Sequence, residues 1–439
     1  PLVDTVTSTP GGLVTEATSE RTVVHGPSGF LDVASLEDVT TVAGGLESRT
    51  YRTTRTAPDP NDPNSLPTLT RVSPELREVV SHLDSDGRVT RTQVAGLYPT
   101  RFEYDDEGRL EAIKHGPEDD PNDPNSLLRV TRFEYKSTLD DQNRLLDRIV
   151  DAEDRETAFD YDAAGRVTAQ TMPNTGGTRT IAFTYDANGN MTSLTPPGRP
   201  AHGFTYTAVN REEDYAPPQP SPAIPDPRTV SAWNGDRQLD LVSRPDGQSV
   251  DPGYDFAGRL QTLSVQPAGE TSVYAYDPNT GELESVTGPD ADLSFTYDGD
   301  LLLTETWDWG GAVPATTVTR DYDDFLQVES LRVNARTPIG FAYDADGLLT
   351  AAGAMTVTRR ADNGLIATST LGMVTDTWTY SGLGELEKYT AAIAGTPIFD
   401  VGYERDKLGR ITKKTDMIEG VTTVYEYAYD PAGRLWKVW

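Results

Sequence analysis

Phe183-Thr-Tyr-Asp-Ala-Asn-Gly189-Asn-Met191 reads as strand, tight turn, strand. Phe183 and Tyr185 are two residues apart and share one face of the incoming strand. Asp186 opens the turn, because its side chain accepts a backbone N–H two residues on. Gly189 closes it: a three-residue hairpin loop is a type I turn followed by a residue at positive φ, which glycine adopts at no steric cost. One such hairpin says little. Its recurrence along the chain decides the fold.

Reading outward as x-Asp-x-x-Gly-polar-apolar, the unit appears at Leu83–Val89 and Tyr104–Leu110, then at Tyr161–Val167, Tyr185–Met191 and Tyr254–Leu260. Tyr276–Leu283 carries one extra residue, and Tyr343–Leu349, Arg405–Ile411 and Tyr429–Leu435 complete the clear set. Weaker copies begin at Tyr297, Tyr322, Arg360 and Tyr380, and Tyr135–Leu145 reads as a copy with an insertion. From Tyr254 to Tyr429 the steps are about one β-hairpin long, the signature of a repeat array rather than of independent domains. An aromatic often stands two before the tyrosine, as in Phe102/Tyr104, Phe159/Tyr161 and Phe341/Tyr343. Phe204/Tyr206 has the pair without a recognisable turn. With a three-residue loop, Tyr161 opposes Val167 and Asp162 opposes Arg166. One face then gathers Phe, Tyr and Val/Leu in ladders, and the other gathers Thr, Asp and Arg. A lone hairpin is marginal in water, so stability is collective.

Composition agrees with a sheet wetted on both sides. Of 439 residues only 36% are hydrophobic, too few to fill a large solid core, yet 20 Tyr, 11 Phe and 6 Trp are too many for a disordered chain. The net charge of −31 argues against nucleic acid and anionic membrane as partners, since both require a basic footprint. The absence of cysteine excludes disulfides and thiolate chemistry. No apolar run reaches the length of a membrane-spanning helix, so no membrane insertion by this segment is expected.

In chain order, residues 1–81 read as degenerate β-hairpins, 82–215 and 229–439 as the array, and 216–228 as a proline-rich loop. The array reads as truncated at its C-terminal end. Two identical Asp-Pro-Asn-Asp-Pro-Asn-Ser-Leu stretches, 59–66 and 120–127, read as long hairpin tips. Calcium is the alternative for their Asp/Asn content, although the glycine and closing glutamate of an EF-hand loop are missing. The best helical candidate, from Ser73 to Val79, amounts to one or two turns. At about 11 residues per strand there are roughly 40 strands with a contour of roughly 190 Å, one ring of roughly 30 Å radius or about two turns of a tighter spiral.

The repeated Tyr-Asp-x-x-Gly-Arg-Leu unit resembles the Rhs/YD-repeat family, which includes bacterial polymorphic toxins, the cocoon-forming subunits of Tc toxin complexes and the YD shell of teneurins. The resemblance covers about residues 82–435. It implies an all-β fold, an antiparallel sheet of stacked β-hairpins spiralling into a hollow shell or partial barrel. It also implies a secreted or cell-surface setting and, as partners, an enclosed polypeptide such as a toxin domain or further shell segments. The carry-over is to turn positions alone: Tyr104, Asp105, Gly108 and Arg109; Tyr161, Asp162, Gly165 and Arg166; Tyr185, Asp186 and Gly189; Tyr254, Asp255, Gly258 and Arg259. It continues through Tyr276, Asp277 and Gly281; Tyr343, Asp344 and Gly347; Asp406, Gly409 and Arg410; and Tyr429, Asp430, Gly433 and Arg434. These are read as structural. The chain carries no core-associated region or cargo domain of the kind that toxin-bearing relatives have.

No catalytic, cofactor or metal motif stands out. His25, His82, His115 and His202 are isolated, and no phosphate-binding loop or nucleophile elbow is present. Three function classes follow: an encapsulating scaffold, an extracellular adhesin that binds a glycan or cell surface, and a carboxylate-dependent hydrolase. The adhesin reading leans on Trp307-Asp-Trp309-Gly-Gly as a sugar-stacking platform, with ordinary packing as its rival.

Overall fold

The computed structural model describes residues 2–8, 15–26, 33–44, 47–58, 65–117, 128–136, 144–174, 176–219 and 226–439. They form 37 strands, from Leu2–Ser8 to Leu435–Val438, and no helix. Each strand pairs antiparallel with its chain neighbours, so the whole is one continuous meander. The sheet runs unbroken through residues 81 and 82 and, across the proline-rich stretch, from Glu212–Ala216 to Thr229–Trp233. First and last strands do not pair with each other. Both Asp/Asn-rich tips, and with them the calcium alternative, fall mainly outside the described residues.

Register follows from turn chemistry. Tyr161 pairs with Val167 across a bulge at Asp160/Tyr161, and Tyr185 with Met191 across one at Thr184/Tyr185. The left-handed residue of the three-residue loop is the cause, with Gly165 at φ 77° and Gly189 at φ 92°. A bulge at the same edge of successive hairpins bends and twists the sheet in the same sense each time, so the ribbon coils.

The ribbon has two edges, one carrying the Tyr-Asp turns and the other the connections between hairpins. Coiling brings these edges together one lap apart. The turn after the fifth strand meets that after the twenty-eighth, 23 strands on, and the turn after the eleventh meets that after the thirty-sixth, 25 strands on. At about 4.8 Å per strand the lap is about 110–120 Å around, a ring of about 18 Å radius, on the tighter side of the sequence expectation.

No strand packs face to face on a non-neighbour, so the wall is one layer thick. Among the described residues the buried apolar side chains are few, namely Leu83, Ala112, Leu128, Val150, Val357 and Val401 with Pro99 and Pro252, and no large side chain is fully buried. Accessible surface is 26150 Å², whereas a compact protein of this mass exposes roughly 16,000 Å². The excess is what a sheet with water on both faces requires.

Candidate functional site

Two constructions make the wall: the repeat turn, which joins each hairpin to the next, and the seam between laps. In the hairpin around Asp162, the Asp162 backbone N–H bonds the Arg166 carbonyl and the Gly165 N–H bonds the Asp162 carbonyl, both at 3.0 Å. The carboxylate caps the turn. Oδ1 accepts the N–H of Ala164 at 2.9 Å and of Arg166 at 3.0 Å, while Oδ2 accepts Arg166 Nε at 2.7 Å. Those Arg166 bonds hold the Asp162 carboxyl below the usual carboxylate range. Arg166 then reaches forward. Its Nη1 donates to the Asp186 carbonyl at 2.7 Å and its guanidinium lies 4.9 Å from the Tyr185 ring centroid.

The tyrosine completes the link by reaching backward. Tyr161 donates its hydroxyl to the carbonyl of Leu146, the first residue after the preceding turn, at 2.8 Å, and Tyr185 does the same to Val167 at 2.8 Å. Tyr104, Tyr254, Tyr276, Tyr343 and Tyr429 repeat the bond to Val89, Leu239, Leu260, Val328 and Ile411. The carboxylate cap recurs at Asp105, Asp186, Asp255, Asp277, Asp344, Asp406 and Asp430. Gly108, Gly258, Gly281, Gly347, Gly409 and Gly433 supply the positive φ. Arg109, Arg259 and Arg410 lie over Tyr135, Tyr276 and Tyr429, and Arg434 pairs with Asp430.

Two expectations change here. The turn arginines lie with the tyrosines, not on the opposite face with Thr, because the bulge and the Asp–Arg bond carry the guanidinium over the next ring. The ladder therefore alternates aromatic ring and guanidinium. Among the described residues continuous ring-on-ring contact is local, as in Trp378–Tyr389–Phe399, whose rings are tilted at 54° to one another. Ser73–Arg77 is not helical; it closes a hairpin turn with Leu76 at φ 60°.

Several repeat positions escaped sequence reasoning. Tyr206 does have a turn, Thr207 to Arg211, with Asn210 at φ 59° in place of glycine. Trp233 stands where tyrosine usually does and donates Nε1 to the Glu212 carbonyl at 2.8 Å, with Asn234 capping and Arg237 at φ 64°. Arg359, not Arg360, takes the tyrosine's place and donates to the Leu349 carbonyl at 3.1 Å. The shared property is a donor at the end of a long flat side chain, a signal visible only once the bond is known.

The seam is polar. Arg77 bridges Asp344 at 2.8 Å and Asp346 at 2.5 Å, and all three side chains are only 10–13% exposed. Ser73 donates to Asp346 at 2.7 Å, and the Ala345 N–H to Glu75 at 3.0 Å. Burial pushes the Asp344 carboxyl up, but Arg77 and the Leu348 and Asp346 N–H groups outweigh it and leave it below the ordinary value. Along the same line Arg49 donates to Gln327 at 2.6 Å and lies over Phe325, Tyr98 N–H bonds the Gly382 carbonyl at 2.6 Å, and Arg129 grips Glu385 through two bonds of 2.9 and 2.7 Å. These partners are 256 to 284 residues apart in sequence.

A groove of about 670 Å³ opens on the seam beside Arg129, Glu153, Glu385, Tyr403, Arg405 and Lys407. Among the described residues no group of three or more His, Asp or Glu side chains is arranged to hold a metal ion. Trp307 and Trp309 stack on each other at 5.9 Å and 23°, both exposed.

This repeat geometry has a counterpart among known families. Residues 175–438 match the teneurin YD-shell family model, more than half of the chain, and residues 140–178 match the RHS repeat model. The chain belongs to the teneurin YD-shell family. No curated protein matches it. Among solved structures this YD-shell chain is similar to TcdB2-TccC3-Cdc42, with a TM-score of 0.69 at 14% identity over 92% of this chain and 24% of that one. It is similar to TcdB2-TccC3 without its hypervariable C-terminal region, with a TM-score of 0.68 at 14% identity over 92% and 24%. A Photorhabdus luminescens Tc holotoxin pore with a mutated TccC3 gives a TM-score of 0.61 at 13% identity over 99% and 24%. This chain thus spans about a quarter of the length of those proteins, and at such identity the likeness is one of fold.

Proposed function

We propose that this chain is a wall segment of a larger YD-repeat shell that encloses a polypeptide, in a secreted or cell-surface setting. The observation that carries the reading is the one-layer sheet wound past a full lap and sealed to itself edge to edge. A fold that serves as a binding platform needs no such seam. A container does, because an unsealed edge leaves a slot along the wall. A ring of about 18 Å backbone radius, less about 5 Å of side chain, leaves a bore of about 25 Å, wide enough for an unfolded or partly folded chain.

Limited proteolysis of the full-length natural product tests this. A segment protected from protease until the shell is unfolded is expected. Cleavage of every segment at the same rate overturns it. A second reading rests on the exposed Trp307/Trp309 stack, whose outer ring face suits a sugar. Glycan-array binding lost on Trp307→Ala/Trp309→Ala supports it, and an array without signal dismisses it.

A further inference from the structure

Opposite charges face each other across several ladders of this sheet. Arg21 is paired in register with Asp38, Arg148 with Glu134, and Lys413 with Glu404 on one side and Glu426 on the other. Four neighbouring strands of the first lap break that pattern. Across Glu78–Leu83, Val89–Val94, Thr100–Tyr104 and Leu110–His115, His82 stands opposite Arg91, Arg91 opposite Arg101, and Arg101 opposite Lys114. Register partners share a face, so these four side chains form one row across the sheet. The row lies on the face away from the aromatic ladder, because His82 and Arg101 are chain neighbours of Leu83 and Phe102, which point the other way.

Like charges directly opposite one another destabilise a sheet. This chain has 69 acidic residues against 38 basic ones from which to supply complements, yet Arg91 has only the neutral Gln93, bonded at 2.8 Å, and its buried Nε has no hydrogen-bond partner. Arg101 donates to the carbonyls of Gly116 and Pro117 at 3.1 and 2.7 Å, and Lys114 pairs with Glu103. All four side chains of the row are partly exposed. A groove of about 320 Å³ lined by Glu78, Val80, His82, Gln93 and Ala95 opens at the His82 end.

We propose that this row is a docking surface for a short acidic peptide segment of a partner polypeptide. At about 4.8 Å per strand the row is about 14 Å long, room for three or four carboxylates. Charge complementarity selects an anion, and the net charge of −31 selects a short one. A long polyanion such as nucleic acid would run off the row onto an acidic wall, whereas a short segment stays within the roughly 8 Å over which the cations act in physiological salt.

The test is fluorescence anisotropy of a labelled hexaglutamate peptide added to the full chain in physiological salt, with a thermal melt of each variant beside it. Saturable binding is expected, weakened about fivefold by Arg91→Gln and again by Lys114→Gln. Lys413→Gln, which removes a cation already set between two acids, leaves binding unchanged. Without peptide, Arg91→Gln melts no lower than the parent, because it relieves a like-charge pair. No binding, or equal weakening by Lys413→Gln, overturns the docking surface. A lower melting temperature for Arg91→Gln also overturns it, since the row is then part of the wall's own support. Displacement of the peptide by a sulfated oligosaccharide of equal charge at lower concentration overturns the peptide assignment. None of these outcomes bears on protease protection of an enclosed segment, so this proposal and the enclosure reading fail separately.

Discussion

Replacing Arg77 with methionine removes the cation that Asp344 and Asp346 share across the seam while keeping most of the side-chain length. The two carboxylates are left facing each other, each about nine-tenths covered. Removing one partner of a buried pair costs about 3–5 kcal/mol. The wall has water on both faces, so screening reduces this to about 2–3 kcal/mol. The loss falls on the seam and not on the ladder, because Arg77 bonds Asp344 and Asp346 from the opposite edge of the ribbon. Hydrogen exchange reads it locally. The Glu75 and Ala345 N–H groups, bonded across the seam at 3.0 Å, lose protection by roughly 30- to 150-fold at 1.36 kcal/mol per decade. Amides in the remote hairpin around Asp162 keep theirs. Adding Asp344→Asn and Asp346→Asn recovers part of the loss, because the stranded charges are gone. Protection at Glu75 and Ala345 within twofold of the parent would refute the electrostatic seam.

Three further outcomes follow from the same bonds. Acidification opens the seam: the Asp344 carboxyl sits below its unfolded value, so its contribution is complete above about pH 4 and is lost as pH falls through the depressed folded value. Exchange at Ala345 recorded against pH shows a step that the Arg77→Met, Asp344→Asn, Asp346→Asn variant lacks. Tyr161→Phe leaves the Leu146 carbonyl without its 2.8 Å donor and destabilises the chain by about 1 kcal/mol in urea titration, and an unchanged midpoint speaks against the backward bond. Leu76→Gly relieves a positive φ at a side chain 79% exposed and raises stability by about 0.5–1 kcal/mol.

Local structure was legible because it is written locally. Tyr161, Asp162, Gly165 and Val167 lie within one loop, and glycine at the third loop position announces both the turn and the one-residue slip of register. Where another residue takes the positive φ, as Asn210 and Arg237 do, the same turn is silent in sequence, and where Leu326 does it is legible only as a weaker copy. The Tyr161–Leu146 bond was hidden for a different reason. It depends on how far twist brings a ring over the neighbouring strand, which no spacing encodes. The seam was out of reach altogether. Arg77 and Asp344 are 267 residues apart, and each reads as an ordinary surface charge until the lap length is known. Composition still pointed the right way, since a chain with 36% hydrophobic residues cannot fill a core and settles for a wall.

The winding itself is open to a direct distance measurement, helped by the lack of native cysteine. Leu76→Cys and Ala345→Cys place a donor and an acceptor dye on the two turns that face each other across the seam. In the wound wall the dyes are in near contact and energy transfer is almost complete. In an uncoiled ribbon the same positions are 23 strands apart, about 110 Å, and transfer is absent. Near-complete transfer is the result this account predicts. Its absence in a folded, β-rich chain would contradict it.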